Sequence, residues 1–113
     1  MPSDTRSNEA LREIERTILL ALSFAGDASF EAFEADVKTF YATTRCLEII
    51  SEASRRLSID VKDRHSHIPW RQVANAGNFY RHDYESILPW LVWKTVKENL
   101  NPLLDVVRAE LDT

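Results

Sequence analysis

The chain has 113 residues, 44% of them hydrophobic, a net charge of −4, only two glycines and a single cysteine. That length suits one hydrophobic core, so a single domain over residues 1–113 is expected, with 1–7 as a flexible lead-in. The lone Cys46 excludes an internal disulfide and a multi-cysteine zinc site, the scarcity of glycine counts against an all-β fold, and no signal peptide or bilayer-length apolar run is visible, which together point to a cytoplasmic helical protein.

Residues 9–25 place Leu11, Ile14, Ile18, Leu22 and Ala25 three and four apart, which predicts a helix with one core-facing stripe. Asp4 or Ser7 would cap its start, Gly26 its end, and Ser29 the start of the next helix. A long second helix is expected from Phe30 to Leu57. Its stripe runs through Phe30, Phe33, Val37, Phe40, Thr44, Leu47, Ser51 and Ser54, with Tyr41, Ile50, Ala53 and Leu57 widening the buried face. The stripe turns small and polar at Ser51 and Ser54, which lets another element approach closely. Arg45, Glu48, Glu52 and Arg56 follow one another at helical spacing, as a surface ion-pair ladder would, and Glu52 is also a candidate supporting residue for a site.

Ser58 to His67 is polar, with at most a short helix around Ile59 to His65. Ile68-Pro69-Trp70 starts a further helix, expected to reach about Tyr84, because proline suits a first helical turn. Gly77 inside it costs about 1 kcal/mol relative to alanine, so it marks close backbone packing or free space. Ile87 to Leu100 reads as a strongly apolar helix, and a last turn or helix runs from Pro102 through Leu111. The fold class is therefore all-α, an up-and-down bundle of four main helices plus short additional ones.

Charge and chemistry concentrate in one window. From Val61 to His82 the cations Lys62, Arg64, Arg71 and Arg81 face only Asp63, and all three histidines, His65, His67 and His82, fall there. A local basic site on an acidic body fits a small phosphate-bearing substrate or one RNA cleavage point better than a long duplex, so no DNA is expected. Within Gly77-Asn78-Phe79-Tyr80-Arg81-His82-Asp83-Tyr84, a helix puts Asn78 and His82 one turn apart and Arg81 and Tyr84 on a neighbouring face. Imidazole to move protons, guanidinium to hold phosphate, and amide and phenol to donate hydrogen bonds together suit a phosphodiester. His65-Ser66-His67 is not a helical i, i+4 pair and has no cysteine beside it, so neither a metal site nor a cofactor is expected; His65 and His67 read as exposed loop residues.

Several ordered blocks resemble one family: Phe33 with Asp36, Leu47-Glu48-Ile49-Ile50-Ser51-Glu52-Ala53 (where the family usually has Ile-Gly-Glu-Ala), Ile68-Pro69-Trp70, Asn78 with His82-Asp83-Tyr84, and the tryptophan-bearing helix. From about Phe33 to Val107 the chain is similar to the HepT-like toxins of the HEPN superfamily. The resemblance implies a helical, metal-independent endoribonuclease acting on RNA, forming a homodimer, and paired with an MNT-type nucleotidyltransferase antitoxin that transfers AMP to Tyr84. It implies catalytic roles for His82, Asn78 and Tyr84. The family's motif arginine is absent: its position is Gly77. Arg81, one turn later, could reach back over Gly77 in its place. The alternative is a catalytically inactive partner of the nucleotidyltransferase that does not cut RNA.

Overall fold

The computed structural model describes residues 5–82 and 88–112, with side chains described for 5–77 and 88–112. Seven helices and no strands are found among these residues: α1 (Thr5–Ala25), α2 (Phe30–Ala35), α3 (Val37–Ser54), α4 (Ile59–Arg64), α5 (Trp70–His82), α6 (Leu88–Glu98) and α7 (Leu100–Leu111). The all-α bundle expected from the apolar spacing is the observed architecture.

The first helix begins earlier than its apolar stripe, and residues 5–7 belong to it. Ser7 is not a cap but a buried bracket, its Oγ accepting from the Ser58 backbone N–H at 2.8 Å. Ala10, Leu11, Ile14, Ile18 and Ala21 lie at 0–2% exposure along the face that α1 turns to α3 and α7. Gly26 ends α1 without a left-handed turn. It is needed for space, since a Cβ there would sit 2.5 Å from the Leu22 carbonyl oxygen.

The long second helix is divided. Asp36 adopts φ −102°, ψ 90° and serves two helices, ending α2 through its own N–H and starting α3 through its side chain. Its carboxylate accepts from the Thr39 N–H at 3.1 Å and from the Thr39 hydroxyl at 2.7 Å. These bonds hold its carboxyl below the usual range. A short side chain that satisfies first-turn donors competes with continuing the helix, and here it wins. Val37 and Tyr41, expected inside, are 61% and 66% exposed near the break, while Leu47, Ile50, Ser51, Ala53 and Ser54 are buried as expected, joined by Thr43 and Cys46. Ser29 caps α2 and Ser58 caps α4 through their side chains, at 3.1 Å and 3.3 Å.

Of the two tryptophans of α6, Trp93 packs against the intramolecular core, while Trp90 is 43% exposed. Trp93 donates from Nε1 to the Ala28 carbonyl at 2.9 Å, and Phe30 meets Trp90 and Trp93 edge-on at 5.3 and 5.7 Å. These contacts fasten α2 to α6. The last helix starts at Leu100, so Pro102 sits inside its first turn, where its missing N–H is not needed. No helix among the described residues is long and apolar enough to cross a membrane.

Candidate functional site

The helix that carries the polar motif is fixed at its start by indole hydrogen bonds. Trp70 Nε1 donates to the carbonyls of His65 and Lys62 at 3.0 and 3.2 Å, which ties the first turn of α5 to α4. Beyond that turn α5 packs chiefly on α3, and the seam between them is polar. Ser51 Oγ donates to the Ala74 carbonyl at 2.9 Å and accepts from the Gly77 N–H at 3.0 Å. Arg55, one turn after Ser51, donates to the same Ala74 carbonyl from Nε and Nη2 at 3.1 and 2.7 Å. One hydroxyl and one guanidinium therefore grip the main chain of α5 in mid-helix.

Gly77 is buried in this seam. A Cβ there would meet Ser51 Oγ at 3.0 Å and Ser51 Cβ at 3.3 Å, tighter than ordinary contact. The glycine is thus explained by close packing, one of the two readings its sequence context allows. The open space over Gly77, into which a relocated Arg81 side chain would reach, is occupied on that side by Ser51.

The backbone of α5 is helical through His82, which sets positions 78 and 82 one turn apart as the spacing predicts. The side chains of Asn78, Arg81 and His82 lie outside the described residues, and so does the whole of Tyr84. Glu52 stands elsewhere. Its carboxylate pairs with Arg56 at 3.0 Å, Arg56 also pairs with Glu13 of α1, and the Glu52 side chain is 65% exposed. Neighbouring residues of a helix point about 100° apart, so Ser51 faces α5 while Glu52 faces the α1 side. Arg45 and Glu48 complete the surface pairs at 3.4 Å.

His65 differs from expectation. It is not an exposed loop residue: its side chain is 18% exposed and Nε2 lies 2.6 Å from Glu110 Oε2. Arg64 clasps the same carboxylate with two bonds, at 3.0 and 2.8 Å. The Arg64 hydrogen bond first, then the His65 bond, hold the Glu110 carboxyl below its ordinary range. His67 is exposed, with its ring 6.2 Å from that of His65. No group of three His, Cys, Asp or Glu residues among those described converges on a metal-sized point. Burial pushes the Cys46 thiol up, away from nucleophilic use.

On its other flank α5 borders a cavity of about 740 Å³, open to solvent, between α3, α6 and the start of α7. Leu47, Ile50 and Val73 give it an apolar floor, while Gln72, Asn75 and Glu98 supply polar edges. Sequence reasoning missed Arg55, the only arginine among the described residues seen to grip a backbone carbonyl. The available signal was its place four residues after Ser51, on the face where the α3 stripe turns small and polar.

Comparison with known proteins gives these positions a context. The family described as ribonuclease HepT-like matches residues 8–110. The "Probable ribonuclease HepT" of Thermococcus cleftensis is 40% identical over 93 residues, covering 82% of this chain and 84% of that one. The "Putative RNase MJ1380" of Methanocaldococcus jannaschii is 34% identical over 79 residues, covering 70% and 72%. No solved structure matches.

Proposed function

The chain belongs to the ribonuclease HepT-like family, and on that premise we propose that it is an endoribonuclease of the toxin–antitoxin type whose reaction is carried by the end of α5. The observation that carries the reading is the family match across residues 8–110 together with His82 at the end of a helix whose backbone is clamped by Ser51 and Arg55. In this reading His82 takes the proton of a ribose 2′-hydroxyl or gives one to the leaving oxygen. The 2′-oxygen attacks the adjacent phosphorus, the P–O5′ bond breaks, and the products are a 2′,3′-cyclic phosphate and a free 5′-hydroxyl. The nucleophile is intramolecular, so the step gains its advantage from proximity and needs no metal-bound water. Arg81 answers the charge on the phosphate oxygens, and Asn78 and Tyr84 orient them. A second copy of the chain, in a homodimer, supplies the other proton-transfer group as a second His82.

Regulation in this reading passes through Tyr84. A nucleotidyltransferase antitoxin transfers AMP to its phenol, and the added bulk and negative charge block access of RNA phosphate. The test is direct. Purified protein is incubated with RNA in EDTA beside His82→Ala. Cleavage that survives chelation and disappears in the variant supports the nuclease; cleavage that persists in the variant removes His82 from the mechanism.

One observation favours a second reading. The motif arginine is replaced by Gly77, and the Cβ side of that residue is closed by Ser51. The chain then acts as substrate and partner of its nucleotidyltransferase without cutting RNA. Intact mass rising in adenylate steps with antitoxin and ATP, abolished by Tyr84→Phe and accompanied by no RNA cleavage, selects this reading.

A further inference from the structure

Among the described residues, four arginines pair with carboxylates. Arg45 pairs with Glu48, Arg56 with Glu13 and Glu52, Arg64 with Glu110, and Arg108 with Glu15. Arg55 has a different partner. Both of its described bonds end on the neutral Ala74 carbonyl, and no carboxylate among the described residues pairs with it. A carbonyl fixes the plane of a guanidinium without cancelling its charge. The side chain is nevertheless exposed, so its remaining N–H groups face water. A preorganised and unneutralised guanidinium is suited to phosphate, because little side-chain freedom is left to lose on binding.

Its position adds to this. Ala74 precedes His82 by eight residues, about 12 Å along the axis of α5. Arg71, exposed and also without an ion pair among the described residues, lies one turn before Ala74 on the same side of the helix. The carboxylates nearest in sequence on α3 are engaged elsewhere, Glu48 by Arg45 and Glu52 by Arg56. Arg55 and Arg71 thus place two cations, with no ion pair among the described residues, beside the first half of α5.

We propose that Arg55, with Arg71 beside it, is a phosphate-binding subsite for single-stranded RNA, holding the backbone beyond the scissile link. This rests on the ribonuclease reading and extends it from a cleavage point to a directional track along α5. Arg55 positions the substrate and moves no proton.

The test measures binding of a short single-stranded RNA, 2′-O-methylated so that it cannot be cut, as a function of salt. Each phosphate contact on a single strand contributes about 0.7 to the slope of log affinity against log salt. Arg55→Gln is expected to lower the slope by about 0.7 and to weaken binding about tenfold at low salt. Arg108→Gln, which removes a cation already answered by Glu15, is expected to leave the slope unchanged. If Arg55→Gln also lowers the melting midpoint, Arg55→Lys decides: it restores charge without the two-pronged clamp, so a recovered slope supports the subsite and a slope still reduced overturns it. A wild-type protein that cleaves RNA while Arg55→Gln keeps the full slope overturns this inference alone. A wild-type protein that neither cleaves nor binds RNA overturns the ribonuclease reading with it.

Discussion

The two seams of α3 are built on different physics. Toward α1 it joins an apolar core that includes Ala53 with Ala10, Leu11, Ile14 and Ile18, all at 5% exposure or less. Toward α5 it presents Ser51 and Arg55, which bond to main-chain groups at Ala74 and Gly77. The first seam stabilises by removing apolar area from water and is indifferent to small rotations of the helices. The second fixes the height and rotation of α5 by hydrogen bonds of defined direction while its outer face stays open. A helix intended to hold reacting groups benefits from the second arrangement, since a shift of about 1 Å in such a site can cost about a hundredfold in rate.

Substitutions on either side of that contrast should separate activity from stability. His82→Ala, at the end of α5, is expected to reduce RNA cleavage by roughly 10²–10⁴-fold with an unchanged melting midpoint. A fall in midpoint that accounts for the lost activity would erase the distinction. Ile14→Ala, in the apolar seam at 0% exposure, should cost about 3 kcal/mol in denaturant unfolding while kcat per folded molecule is retained. Gly77→Ala tests the polar seam itself. Its Cβ would press on Ser51 Oγ at 3.0 Å, so a loss of about 1 kcal/mol is expected despite the helix preference of alanine. In a Ser51→Gly background the obstacle is gone, and the same change should stabilise by about 1 kcal/mol. The same sign in both backgrounds would show that Ser51 is not what excludes a side chain there.

The smallest effect concerns the far end of the bundle, where Glu110 joins α7 to α4. Its folded carboxyl is held below the ordinary value by Arg64 and His65. The contribution is therefore present above the unfolded value of about 4.3 and lost as pH falls through the lower folded one. Wild-type stability should drop on acidification through this range, and Glu110→Gln should drop less. Parallel acid-unfolding curves would remove Glu110 from the account.

Local signals were legible wherever one residue decides one turn. Ser29 caps the helix it was expected to start, and the α1 stripe lies where three-four spacing puts it. The break at Asp36 was missed because the flanking apolar spacing runs through it almost unperturbed, while the decision belongs to one carboxylate bonding Thr39. His65 was misplaced because its partner, Glu110, is 45 residues away in sequence. Gly77 was recognised as a close approach or a void, and only the neighbouring helix could say which.

What the chain order of side chains determined is the set of helices, their buried stripes and the family to which they belong, because periodicity and caps act within a few residues. What only tertiary structure decided is that Ser51 fills the side of Gly77 and that Arg55 ends on the Ala74 carbonyl. Those contacts join residues 26 and 19 positions apart, and no local propensity encodes which carbonyl a long side chain will find. The packing of α5 on α3 makes that choice, and with it sets the Arg55 guanidinium on a neutral main-chain oxygen.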